Sequence, residues 1–147
     1  MRDDSASGDR TPAAVWFAYT PDRKGIHPQT HLANFSGVLQ ADAYAGFNAL
    51  YVGGTILEAA CWAHARRKFY DLHVARPSAI TTEALRRIAE LYVIEAEIRG
   101  KPPHERQLAR QQRSKPLLDD FGGWLRATLE RLPRKSDTAA AIQYALN

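Results

Sequence analysis

The chain is short of cysteine, of long apolar runs and of glycine-rich motifs, and each shortage closes off a class of function. One cysteine, Cys61, among 147 residues excludes an internal disulfide framework and fits a reducing cytoplasm. No apolar run approaches the roughly 18 residues of a membrane span. The opening Met1-Arg-Asp-Asp-Ser-Ala-Ser-Gly-Asp-Arg10 has neither the basic start nor the apolar stretch of a signal peptide. The glycines fall in no G-x-G-x-x-G or P-loop spacing, so no nucleotide-phosphate cradle is legible. No G-x-S-x-G elbow occurs, which leaves no readable Ser-His-Asp nucleophile. Cys61 and His64 have metal-ligand spacing, but His27, His31, His73 and His104 form no second paired motif, and structural zinc wants four ligands.

What is present is an ordinary globular composition, 45% hydrophobic and 24% charged, in a length that predicts one domain with room for a core. The net charge of +4 and pI of 9.4 permit a nucleic-acid partner without demanding one. Of the 20 basic and 16 acidic residues, 8 and 7 lie in 1–76, leaving 12 and 9 for 77–147. The excess therefore sits in the second part.

The first part reads as strands joined by short helices. The first dozen residues are loop-like. Ala13-Val-Trp-Phe-Ala-Tyr19 is apolar and rich in β-formers, and Thr20-Pro-Asp-Arg-Lys-Gly25 closes it with turn chemistry. Gly37–Asp42 and Ile56–Cys61 predict two further strands, with short helices at 28–35 and 44–51 and a longer one at 63–73. Strands alternating with helices predict an α/β, mostly parallel sheet. The second part carries no strand signal. Leu85, Ile88, Leu91, Tyr92, Ile94 and Ile98 recur at helical spacing, so 82–99 is an amphipathic helix ended by Gly100 and Pro102-Pro103. A polar helix over 104–114 is expected to break at Pro116. A stripe from Leu117 to Leu132 follows, weakened by Gly122-Gly123, and Ser136 caps a last helix over 137–146. Trp16, Phe17, Trp62, Phe69 and Trp124 read as core, and Cys61 as a buried free thiol.

Two places could carry chemistry. Asp42 ends an apolar strand, where polar side chains of an α/β sheet meet a ligand crevice, and a carboxylate there can bind a hard cation such as Mg²⁺. On spacing alone the plainer reading wins, since an Asp between a strand and the Tyr44-Ala-Gly46 turn usually caps the turn. Arg66, Arg67 and Lys68, on the first turns of a helix, make a compact phosphate-binding edge or a plain solvated face.

The runs Ala14-Val-Trp-Phe-Ala-Tyr-Thr-Pro-Asp-Arg-Lys-Gly25, Gly37-Val-Leu-Gln-Ala-Asp-Ala-Tyr-Ala-Gly-Phe-Asn48 and Glu58-Ala-Ala-Cys-Trp-Ala-His-Ala-Arg-Arg-Lys-Phe69 closely resemble transposases of the insertion sequence 66 family. Leu91-Tyr-Val-Ile-Glu-Ala-Glu-Ile-Arg-Gly100, Pro116-Leu-Leu-Asp-Asp120 and Ala139–Leu146 look like the same family, in order. The resemblance implies a DDE-type catalytic domain of ribonuclease H-like fold, in which two Asp and one Glu hold two Mg²⁺ ions for DNA cleavage and strand transfer at transposon ends. Asp42 matches the second carboxylate. The first lies on a strand upstream of the stretch Arg2-Asp3-Asp4, and the third in an Asn-Asn-x-x-Glu-Arg motif beyond Asn147. The expected organisation is a partial ribonuclease H-like sheet, its first strand missing, over 1–76, followed by an all-α insertion region over 77–147.

A chain with one carboxylate of three is expected to be inactive alone. Two divalent cations about 4 Å apart repel by roughly 4 kcal/mol even at the dielectric of water, which one carboxylate does not offset. The leading expectation is a truncated, cytoplasmic transposase whose partner is DNA. The alternative is a non-catalytic basic module that binds DNA or the intact transposase. A third reading supplies the missing carboxylates in trans.

Overall fold

The computed structural model describes Pro12, residues 15–41 and residues 44–146. The described chain is mixed but mostly helical, with one small parallel sheet. It divides into two compact units, residues 17–64 and residues 65–147 together with 1–16.

In the strand-bearing unit, α1 (Ile26–His31) precedes β1 (Gly37–Ala41), and α2 (Asn48–Tyr51) leads to β2 (Ile56–Ala60). The strands pair in parallel, Gly37 opposite Ile56 through Ala41 opposite Ala60. Parallel neighbours cannot be joined by a tight hairpin. Here the crossover passes through a 3₁₀ turn at Ala45–Phe47 and then α2. Gly54 makes the last turn before β2 with a positive φ of 70°, a conformation that a side chain would strain.

The expected strand over Ala13–Tyr19 does not form among its described residues. Val15–Tyr19 has no strand pairing, and Phe17 and Tyr19 are 89% and 94% exposed. β-Formers make a strand only when a neighbour accepts their backbone hydrogen bonds, and the described sheet has two strands, β1 and β2. Trp16 and Phe17 are thus exposed rather than core, and Trp62 and Cys61 are half-buried.

In the helical unit, α3 (Trp62–Ala75), α4 (Ala79–Ile98), α5 (Pro103–Ala109), α6 (Lys115–Leu129) and α7 (Asp137–Leu146) follow in order. The core is built from Phe69 of α3, Ala84, Ile88, Leu91, Ile94 and Ile98 of α4, Phe121 and Leu125 of α6, and Ile142 of α7. Their i, i+3, i+4 spacing puts each set on one face. α4 starts at Ala79, three residues before the expected 82, because Ser78 caps it. Ser78 Oγ accepts from the Thr81 amide, and Thr81 Oγ1 accepts from the Ser78 amide, a capping box with Thr in place of Glu. Gly100 closes α4 with φ 75°, the left-handed residue that a helix C-terminus favours.

Pro116 does not break the chain's course. α5 runs through a π-helical turn, Arg110–Ser114, directly into α6, with Pro116 in the first turn of α6. A proline inside a helix removes one hydrogen bond and crowds the carbonyl four residues back. The wider π turn, whose bonds run five residues back, lies where that carbonyl would otherwise be wanted.

Candidate functional site

Asp42 lies outside the described residues. Around it in sequence, β1 ends at Ala41, paired with Ala60 of β2, and the chain resumes at Tyr44 and the 3₁₀ turn. The turn ahead of α1 is docked on this segment. The Arg23 guanidinium lies over the Tyr44 ring at 5.2 Å, and Tyr44 meets Phe47 edge to face at 5.7 Å. Gly25 comes so close to Gly46 that an added Cβ would meet the Gly46 carbonyl oxygen at 2.8 Å. A side chain at Gly25 would therefore push the two turns apart.

Asp22 knots that turn together. Its Oδ1 accepts from the Lys24 amide at 3.0 Å and pairs with His27 Nε2 at 2.7 Å, and its Oδ2 meets Lys24 Nζ at 3.1 Å. Thr20 Oγ1 donates to the Asp22 carbonyl at 2.7 Å. The Lys24 amide, then His27 and the Lys24 ammonium, hold the Asp22 carboxyl below its ordinary value. The Thr20–Gly25 turn was legible in the sequence, but the Asp22–His27 pairing was not. An i, i+5 pair belongs to no regular periodicity, so only the folded turn reveals it.

The second candidate lies on α3. Arg66, Arg67 and Lys68 are all exposed on this helix. Two of the three lie over aromatic rings, Arg66 over Tyr70 at 5.4 Å and Lys68 Nζ over Tyr144 of α7 at 4.5 Å, which holds long side chains without neutralising them. Lys68, Asp71 and Leu72 of α3 face Asp137, Ala140 and Ala141 of α7 across an open groove of about 260 Å³. Arg66 and Arg67 form no ion pair with the described residues.

Much of the remaining charge of the helical unit is spent internally. Arg110 makes a two-pronged contact with Glu95, both bonds at 2.7 Å, and Arg113 pairs with Glu97, so the π turn is tied to α4 by two arginines. Arg87 bridges Glu83 of α4 and Asp120 of α6 and stacks over Trp124 at 5.2 Å. Arg86 and Arg87 together bring the Glu83 carboxyl down to about 2. Arg110 and Arg113 lower Glu95 and Glu97 in the same way. Arginine suits these places because its fork matches a carboxylate.

Among the described residues no group of three or more His, Cys, Asp or Glu side chains could hold a metal ion. Cys61 is a free, half-buried thiol, and His64 joins it by a backbone bond alone, amide to the Cys61 carbonyl at 3.0 Å. The described residues do not build a metal centre by themselves. No described helix is long and apolar enough to cross a membrane.

A family model described as "Transposase IS66 family" matches residues 1–147. The chain is 41% identical to the uncharacterized protein y4hP of Sinorhizobium fredii, over 95% of this chain and 28% of that protein. It is 37% identical to the uncharacterized protein y4qI of the same organism, over 99% of this chain and 28% of that one. The chain thus spans little more than a quarter of the length of the curated relatives it matches. No solved structure matches it.

Proposed function

The chain belongs to the IS66 transposase family, and from that premise we propose that it corresponds to part of a DDE-type transposase, with residues 1–76 the strand-bearing part of a ribonuclease H-like catalytic core and 77–147 a helical insertion. The match of the family model to residues 1–147 carries this reading. In it, Asp42 is the second of three metal-binding carboxylates, and its partner is DNA in the cytoplasm. The parallel pairing of β1 with β2 supports an α/β core, because a parallel pair belongs in a larger covered sheet. Arg66, Arg67 and Lys68 are the DNA-binding edge, supported by their exposure and by the absence of an ion pair on Arg66 and Arg67 among the described residues.

These 147 residues by themselves do not cleave DNA in this reading. The resemblance assigns them one carboxylate, and the described residues supply no set that could replace the other two. Mg²⁺ belongs to the three-carboxylate site, and no cleavage step is assigned to this chain alone.

The test has two arms. Supercoiled plasmid incubated with the 147-residue chain and Mg²⁺ stays intact, and nicking that needs Mg²⁺ and is abolished by Asp42→Ala would overturn the inactivity. In a full-length, transposition-active protein of the family that carries an aligned Asp, replacement of that Asp by Ala abolishes excision of a mini-transposon. Unchanged excision would remove Asp42 from the carboxylate set. The alternative, a non-catalytic basic module, shares the α3 edge and differs in needing no Asp42.

A further inference from the structure

The charges of the helical unit are unevenly spent. Arg86, Arg87, Arg110, Arg113 and Lys115 are each paired with a carboxylate. The pairs of Arg87, Arg110 and Arg113 lace α4 to the π turn and α6. Other exposed cations of this unit form no ion pair among the described residues: Arg99 and Lys101 follow α4, Arg126 lies on α6, and the rest fall into two groups. On α3 and just beyond it are Arg66, Arg67, Lys68 and Arg76, and at the other end of α6 are Arg131, Arg134 and Lys135, all exposed. Arg131 keeps its charge while its Nε donates to the Ala127 carbonyl at 3.2 Å.

The fold brings the start of α7 beside α3. Asp137, two residues after Lys135, lines the same groove as Lys68, Asp71 and Leu72, and Lys68 reaches over to Tyr144 farther along α7. The α6–α7 turn therefore enters α7 at the groove whose other wall is α3. Asp71 and Asp137 inside the groove repel an anion from its floor, and Asp137 also occupies the first turn of α7. An anionic ligand is thus met at the rims, by the side chains of α3 and of the turn.

The geometry points to one continuous phosphate-binding face, in which Arg131, Arg134 and Lys135 extend the Arg66–Lys68 edge across the groove and take backbone phosphates of duplex DNA. It rests on the proposed reading that the chain meets DNA. A protein partner is disfavoured on the α7 side of the groove. No large apolar side chain is exposed there among the described residues between 109 and 146, although Tyr70 and Val74 are exposed on α3, and a protein interface draws its energy from buried aromatic and aliphatic anchors. Phosphate contacts need only cations on a fixed frame.

Binding of a labelled random-sequence duplex by the full 147-residue chain, followed from about 50 to 200 mM salt, tests the face. Each phosphate contact contributes about 0.9 to the slope of log affinity against log salt. The triple variant R131A/R134A/K135A should lower that slope by about 2 to 3 and weaken binding on the order of tenfold or more. R66A/R67A/K68A should do the same, and R99A/K101A, at the far end of α4, should leave both unchanged. R131K/R134K should retain binding, because phosphate attraction survives a change of cation whereas the Arg131 bond to Ala127 does not. Circular dichroism confirms that each variant keeps its helices.

Wild-type affinity and slope in R131A/R134A/K135A, beside a loss in R66A/R67A/K68A, would end the face at α3 and leave the DNA reading standing. Equal losses in R99A/K101A, or lost binding in a fully helical R131K/R134K, would also overturn the face. No salt-dependent binding by the unaltered chain would overturn both proposals.

Discussion

The helical unit and the strand-bearing unit solve the same problem with opposite results. Among the described residues, Ile56 is the one fully buried apolar side chain within 17–64, whereas Phe69, Ile88, Ile94, Phe121, Leu125 and Ile142 are sealed within 65–146. Val38 and Leu57, on the two paired strands, are more than half exposed. A helix closes its own backbone hydrogen bonds and needs only an apolar stripe with something to cover it. A strand leaves its outward N–H and C=O groups to a neighbour, and two strands alone are marginal in water. The difference teaches that the strand-bearing unit's order is local, held by devices such as the Asp22 knot and the Gly25–Gly46 contact. The helical unit's order is held by a core.

The sharpest way to break that contrast is to remove one phenylalanine from each unit's sequence range. Phe69→Ala, at a side chain with 0% exposure, should cost about 3–5 kcal/mol in urea unfolding followed by helical signal. Phe17→Ala, at 89% exposure, should stay within about 0.5 kcal/mol. A large loss at Phe17 would show that the Val15–Tyr19 segment is covered in solution, and the comparison between the units would fail.

Those two residues also mark what the sequence could and could not disclose. Periodicity reads a helix from its own residues, so the stripe of Ile88, Leu91, Ile94 and Ile98 located α4 and its buried face together. The pair β1 and β2 was equally readable as two apolar runs at 37–41 and 56–60. Phe17 was misjudged because its β-forming neighbours describe what the segment would do beside a partner strand, and a partner is a long-range fact. Pro116 was misjudged for a related reason. Proline rules assume an unbroken α ladder, and the π turn at Arg110–Ser114 removes that assumption without leaving a residue pattern of its own. For the candidate site, Arg66, Arg67 and Lys68 were legible as a charge run. The cations of the α6–α7 turn were diluted in sequence by Glu130 and Asp137, and only the fold sets Asp137, two residues after Lys135, opposite α3.

A smaller effect tests how the helical unit begins. Ser78 Oγ accepts from the Thr81 amide at 3.2 Å, and Thr81, 1% exposed, also meets His73 Nδ1 through its hydroxyl at 2.9 Å. Ser78→Ala removes the cap and should cost about 1 kcal/mol. Ser78→Asp, which restores an acceptor at the same place, should recover most of it. Equal losses in both would mean that the hydroxyl of Thr81, rather than the cap, fixes the turn between α3 and α4.

The smallest effect separates the units by acid. Glu83 in the helical unit has its carboxyl lowered from 4.5 to about 2 by Arg86 and Arg87, and Asp22 in the other unit is lowered from 3.8 by the Lys24 amide and His27. A carboxyl with a depressed folded value stabilises the fold above its unfolded value and loses that contribution as pH falls through the folded one. The helical unit should therefore lose the Glu83 contribution between pH 4.5 and about 2, and Glu83→Gln should flatten that limb of its unfolding curve. Asp22→Asn should leave the helical signal's acid limb unchanged. Both carboxylates lie at the surface, where solvent and salt screen their partners, so each change stays below that of the Ser78 cap. If Asp22→Asn shifted the acid midpoint of the helical signal, the knot would be part of the core's stability rather than a local fastening of its own unit.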